Sequence, residues 1–298
     1  MPSHHHSAKE WLLLFALVAM WGSSFMFIKI GVATVPPTTL VAGRLTLGAV
    51  ILFALVRARG LKLPPWGPEW VIYCALGLVG NAIPFYLITW GQRVVDSALA
   101  GILMAVMPIA TLILAHYLVH GERITRRRIA GFVAAFVGIV VLMGPAALQR
   151  LGGGGIELVY QLAVLCGALC YAANSVMARR LVTGDLLIAS TATLVAAAVI
   201  TMPLALAIDE PWTLFPSFGS LSAIIWLGIG PTAIATVCYY QVIRLGGPTF
   251  MSLVNYLSPV VAVLLGVTLM HEHPGANAYT GLAFILVGIA LSQLRPAR

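Results

Sequence analysis

Long apolar runs, separated by short polar breaks, fill the chain almost from end to end. A run of about 18 or more apolar residues is long enough to cross a bilayer as a helix. Such runs fall at 11–31, 38–56, 70–90, 97–119 and 129–147, and again at 158–178, 186–208, 220–243, 248–270 and 276–294. The pattern predicts an all-α membrane protein with ten transmembrane helices. An even number of crossings places both termini on one side. With a cytoplasmic N-terminus, that side receives Lys9, Arg57, Arg59, Lys62, Arg123, Arg126, Arg127, Arg128, Arg179, Arg180, Arg244, Arg295 and Arg298. The other side keeps only Lys29, Arg44, Arg93 and Arg150. Such a bias is the positive-inside signature, so both termini are expected in the cytoplasm.

The second half of the pattern repeats the first. With Pro108 laid over Pro259, SALAGILMAVMPIATLILAHYLVHGE aligns with TFMSLVNYLSPVVAVLLGVTLMHE, and one gap later Gly131 falls on Gly281 and Gly138 on Gly288. Further upstream, MWGSSFMFIK lies over CYAANSVMAR, which puts Trp21 on Tyr171, Ser24 on Asn174 and Lys29 on Arg179. The units 1–150 and 151–298 each hold five spans and together make one integral membrane domain. Five is odd, so the second unit is expected upside down relative to the first. The charges agree: Arg126, Arg127 and Arg128 follow the fourth span, whereas HEHPGAN after the ninth has no Lys or Arg. Inverted repeats build two similar gates around a midplane site, the geometry of alternating access.

Composition narrows the class. Of 298 residues, 60% are hydrophobic and only 9% charged, against about 25% charged in soluble domains. The net charge of +8 sits in the flanks of apolar runs, which argues for membrane orientation and against a nucleic-acid partner. MPSHHHSAKE leads into the first run without a small-residue cleavage point and reads as the start of an uncleaved helix. Cys74, Cys166, Cys170 and Cys238 lie inside apolar runs without zinc-site or disulfide spacing, so they read as small hydrophobes. His116 and His120 have zinc-helix spacing but no third ligand, and no metal or other cofactor is expected. The partners expected are the lipid bilayer and a small-molecule substrate, with the chain a monomer or weak homo-oligomer.

Polar groups in a membrane must face a partner or water, so they mark bundle interiors and cavities. They concentrate in particular spans: Trp21, Ser23 and Ser24 in the first; Asn81, Tyr86 and Trp90 in the third; Tyr171, Asn174 and Ser175 in the sixth. The eighth carries Thr232, Thr236, Tyr239 and Tyr240, and the ninth Ser252, Asn255, Tyr256 and Ser258. Such groups either bond helix to helix or line a cavity. The candidates for substrate contact are Trp21, Ser24, Asn81, Tyr86, Trp90, Tyr171, Asn174, Tyr239, Asn255 and Tyr256. Pro108 and Pro259 each remove a backbone donor and free a carbonyl, which makes either a packed kink or a hinge. Lys29 and Arg44 are placed toward the outer side, where they either snorkel or contact phosphate, or meet a carboxylate at the outer mouth. No Asp or Glu falls near the middle of a span. That argues against a permanent cation as cargo and for a neutral zwitterion with an apolar side chain. No nucleophile, base or metal cluster supports a membrane-embedded enzyme.

The WGSSF-x-x-IK run of the first span, the arginine of AGRL in the second and the duplicated MP…GE and SP…HE helix ends resemble the drug/metabolite transporter superfamily. The resemblance is to EamA-type ten-helix members, and among them to the YddG-type amino-acid exporters. It implies two five-helix repeats in a bacterial inner membrane and a central cavity lined by helices one, three, four, six, eight and nine. It also implies secondary export of amino acids or similar metabolites, with another metabolite or a drug as the alternative cargo.

Overall fold

The computed structural model describes residues 6–95, 97–144, 148–152, 155–258 and 276–293, and every regular element among them is helical. In chain order these are α1 (Ala8–Gly31), α2 (Pro37–Ala58), α3 (Glu69–Gly77), α4 (Ile83–Gly91), α5 (Ser97–Met104), α6 (Met107–Leu118) and α7 (Arg126–Met143). They continue as α8 (Ile156–Leu181), α9 (Leu186–Ile208), α10 (Phe218–Gly228), α11 (Ala235–Ser252) and α12 (Ala276–Gln293). Seven helical stretches among the described residues are long and apolar enough to cross a membrane. Their outer faces remain apolar, with Phe53 and Val199 exposed on the bundle surface. A helix that is apolar all round belongs in a core or in lipid, and exposed positions of this kind fit a multi-pass membrane protein. About half of the ninth expected span, from Pro259 onward, lies outside the described residues.

Helix ends are fixed by side chains that satisfy orphan backbone donors. Ser7 and Glu10 form a capping box at α1, Asp185 accepts from the amides of Leu187 and Ile188 at α9, and Ser217 caps α10. Asp209, just beyond α9, accepts from the amide and hydroxyl of Thr39 in the first turn of α2, both at 2.8 Å. Proline and glycine set the interruptions. A π segment at Leu78–Ala82 joins α3 to α4, and another at Ile229–Ile234 joins α10 to α11. They start at Leu78 and Ile229, the same offset that lays Pro108 on Pro259. Pro84 follows the first directly and Pro231 lies within the second. The fourth span breaks at Ala105 and Val106, and α6 then opens with Pro108 in its first turn. Gly247, with φ at 85°, ends the eighth span before Pro248 starts the next.

Two lateral pairs frame the bundle, α2 against α9 and α7 against α12, while α1 packs on α10 and α11 and α8 packs on α4 and α6. In the α7–α12 pair, glycine lets backbone meet backbone. A Cβ on Gly131 would lie 2.5 Å from the Gly288 carbonyl oxygen, and one on Gly138 would lie 2.8 Å from that of Gly281. Rising numbers on α7 meet falling numbers on α12, so the two helices run antiparallel.

Gly138→Leu is therefore expected to lose about 1–3 kcal/mol or more of stability, the usual penalty of forcing extra carbons into a packed interface. Gly67→Ala, whose nearest neighbour would be 3.9 Å away, serves as the neutral comparison. Equal thermal unfolding midpoints for the two purified variants in detergent would contradict this packing.

Candidate functional site

A cavity enclosing about 670 Å³ of space between atoms, part of it open to solvent, lies where α1, α2, α4, α8, α11 and the broken fourth span converge. Aromatic side chains form much of its wall. Trp21 stacks near Tyr171 with ring centroids 6.5 Å apart and stands 6.0 Å from Tyr239. Phe85 meets Tyr171 edge-on at 6.3 Å. The break in the fourth span brings Met104 and Met107 to the wall, and Asn255 Nδ2 donates to the Met107 sulfur at 2.8 Å. Ser24 and Ser258 also line it, each hydroxyl donating to a carbonyl of its own helix.

The second π segment anchors the wall. A π turn widens the helix and presents backbone groups off the regular ladder, and such turns recur at functional sites. The Trp21 indole Nε1 donates to the Pro231 carbonyl at 3.0 Å. Arg44 Nε donates to Thr232 Oγ1, also at 3.0 Å. Arg44 is only 2% exposed, and its guanidinium carbon lies 3.9 Å from the centre of the Phe85 ring. Among the described residues this cation has no carboxylate partner, and no acidic side chain lines the cavity. An arginine at the centre of a membrane-spanning helix costs about 2.5–3.5 kcal/mol on insertion scales. A desolvated cation–π contact offsets up to about 2 kcal/mol of that.

Behind the aromatic wall lies a polar layer. Asn174 Nδ2 donates to Tyr239 Oη at 2.7 Å, and Tyr239 Oη donates to Ser175 Oγ at 3.4 Å. Tyr240 Oη and Thr193 Oγ1 share a bond of 2.9 Å. Toward the end of the bundle that carries Arg179 and Arg244, buried Leu14, Leu17, Val18, Ile243 and Phe250 belong to one apolar cluster. Trp11 meets the Phe250 ring edge-on at 5.0 Å and His6 stacks on it at 3.8 Å. None of these seven side chains lines the cavity.

Of the residues singled out in the sequence, Trp21, Ser24, Tyr171, Tyr239 and Asn255 stand in the cavity wall. Asn174 sits one layer behind, packed against Gly80, and Asn81 is buried within the first π segment. Tyr86 is exposed on α4, Trp90 packs tilted against Tyr160 with ring centroids 4.3 Å apart, and Tyr256 donates to the Phe132 carbonyl at 3.1 Å in a buried contact with α7. These three are outside the wall. Arg44, grouped in the sequence reading with Lys29 on the outer side, does not snorkel: it is buried against Thr232 and Phe85 and lines the cavity. Its position well within an otherwise uncharged span was the available signal. Phe85, Ile88, Met104 and Met107 carried none, since apolar residues in an apolar helix look alike. Among the described residues no group of His, Cys, Asp and Glu could hold a metal ion.

The sequence profile of the EamA-like transporter family matches twice, over residues 9–144 and 158–294. The chain is 29% identical over 283 residues to the uncharacterized inner membrane transporter YedA of Escherichia coli (strain K12), covering 94% of this chain and 89% of that one. It is 28% identical over 294 residues to the aromatic amino acid exporter YddG of Ancylobacter novellus, covering 96% and 98%. A solved crystal structure 26% identical in sequence superposes with a TM-score of 0.76 over 96% of both chains.

Tyr239→Phe is expected to cost about 1–3 kcal/mol, because it leaves the buried Asn174 amide without its acceptor. The loss should appear as a lower thermal midpoint in detergent, and an unchanged midpoint would mean that water takes the place of the hydroxyl.

Proposed function

The chain belongs to the EamA-like transporter family and is a multi-pass inner-membrane transporter, not an enzyme; from this premise we propose that it exports small neutral or zwitterionic metabolites, foremost amino acids with aromatic or other hydrophobic side chains. The observation that carries the reading is the cavity walled by Trp21, Phe85, Tyr171 and Tyr239, built from helices of both halves. Aromatic faces pack on an apolar side chain and also attract an ammonium group. The similarity to the Ancylobacter exporter over nearly the full length of both chains supports the amino-acid branch.

In this reading ten helices form two inverted five-helix repeats, 1–150 and 151–298, with both termini in the cytoplasm. The antiparallel glycine contact between α7 and α12 supports the inversion, since the sequence alignment makes these two helices equivalents. Trp21, Ser24, Tyr171, Tyr239 and Asn255 contact the substrate directly, and Asn174 holds the Tyr239 hydroxyl in position. The apolar cluster from Leu14 to Phe250 is the closed cytoplasmic gate, and the cavity faces outward. Pro108 and Pro259 are the hinges about which the halves exchange this arrangement for its opposite.

Counterflow in proteoliposomes preloaded with unlabelled amino acid tests the reading. Saturable exchange of labelled phenylalanine or methionine is expected, and Trp21→Ala should reduce its rate at least tenfold while leaving the protein monodisperse. Absence of amino-acid exchange by the wild-type protein refutes the amino-acid assignment.

A further inference from the structure

We propose that Arg44 is the anion anchor of the cavity and that the cargo must carry a carboxylate, whereas an amino group is dispensable; the proposal deepens the transport reading above and rests on it for the cavity's being the substrate site. A guanidinium carries five N–H donors in a rigid fork. Here one of them, at Nε, is committed to Thr232, the only hydrogen bond the group makes among the described residues. Phe85 lies against the guanidinium at 3.9 Å. Together these two contacts fix the group and leave the terminal nitrogens, with four donors, for whatever enters the cavity that Arg44 lines. A carboxylate matches that fork with two parallel charge-assisted hydrogen bonds.

The rest of the wall narrows the ligand class. Among the described residues Arg44 is its only charged side chain, and most of its other members are Trp, Tyr, Phe, Ile, Val and Met. One buried cation in an apolar surround suits a single negative charge. A phosphate monoester, with nearly two, would remain half neutralised. Among the described residues no acidic side chain in the wall calls for an ammonium group, so the amine of an amino acid meets ring faces and polar groups such as those of Asn255, Ser24 and Ser258. The alternative role for Arg44 is to bolt α2 to the second π segment and nothing more.

Ligand selectivity of the intact wild-type protein separates the two roles without any substitution. Phenylalanine, 3-phenylpropionate, phenethylamine and inorganic phosphate are compared as stabilisers in thermal unfolding and as competitors in counterflow. The two carboxylates should raise the unfolding midpoint and compete, 3-phenylpropionate within about tenfold of phenylalanine. Phenethylamine and phosphate should do neither. Arg44→Lys should raise KM for phenylalanine at least tenfold with a smaller change in kcat, and Arg44→Gln, if it folds, should abolish stabilisation by both carboxylates. Phenethylamine or phosphate acting as well as phenylalanine overturns the carboxylate assignment while amino-acid exchange, if observed, leaves the transport reading intact. Stabilisation by 3-phenylpropionate without exchange of any amino acid keeps the anchor and removes the amino-acid cargo. Stabilisation by neither carboxylate overturns the proposal.

Discussion

A bilayer core offers no water to hydrogen-bond a stray amide or carbonyl, and each unsatisfied group there costs several kcal/mol. That constraint governs every irregular position in this bundle. Among the described residues the departures from the α-helix gather in the inner spans, apart from Pro203 within α9. They comprise two π segments, a broken fourth span and a glycine–proline break after the eighth. The second π segment shows how a loosened backbone is put to use. Its Pro231 carbonyl receives the Trp21 indole and its Thr232 hydroxyl receives Arg44. Two elements of the cavity wall, one aromatic and one cationic, thus hang on a single widened turn.

The duplicated halves diverge at the same place. The offset that superposes the π segments lays Asn81 on Thr232, so each half puts a polar side chain at this point of its π turn. Only the second half's residue receives an arginine, because the stretch of α9 that corresponds to the neighbourhood of Arg44 is the uncharged STATLVAAAVI. A cavity between two like halves therefore carries its charge on one side. A bound molecule with one charged end and one apolar end has a preferred orientation in such a chamber.

Much of this was legible in the sequence because bilayer thickness and hydrophobic length are tied so closely. The boundaries of α1, α2, α9 and α12 fall within a few residues of the hydropathy edges. The cavity wall was legible where aromatic and amide residues interrupted apolar helices, as at Trp21, Tyr171 and Asn255. It failed where chemistry alone could not tell inside from outside. Tyr86 and Tyr239 look equivalent as letters, yet helix rotation turns one outward and buries the other beside Asn174. Tyr256 has the polarity of a ligand contact and spends it on the Phe132 carbonyl. The burial of Arg44 was not legible because it depends on a partner from a helix far along the chain, and Thr232 is not visible as that partner until the fold brings α2 against the second π segment.

The glycine seam between α7 and α12 has a mechanical consequence. Where main chains touch with no side chain between them, there are no rotamers to absorb displacement. The pair is best regarded as a riveted strut at the rim of the bundle. Any rearrangement that exposes the chamber alternately to the two faces must bend around this strut, which leaves the interrupted inner helices as the compliant parts of the molecule.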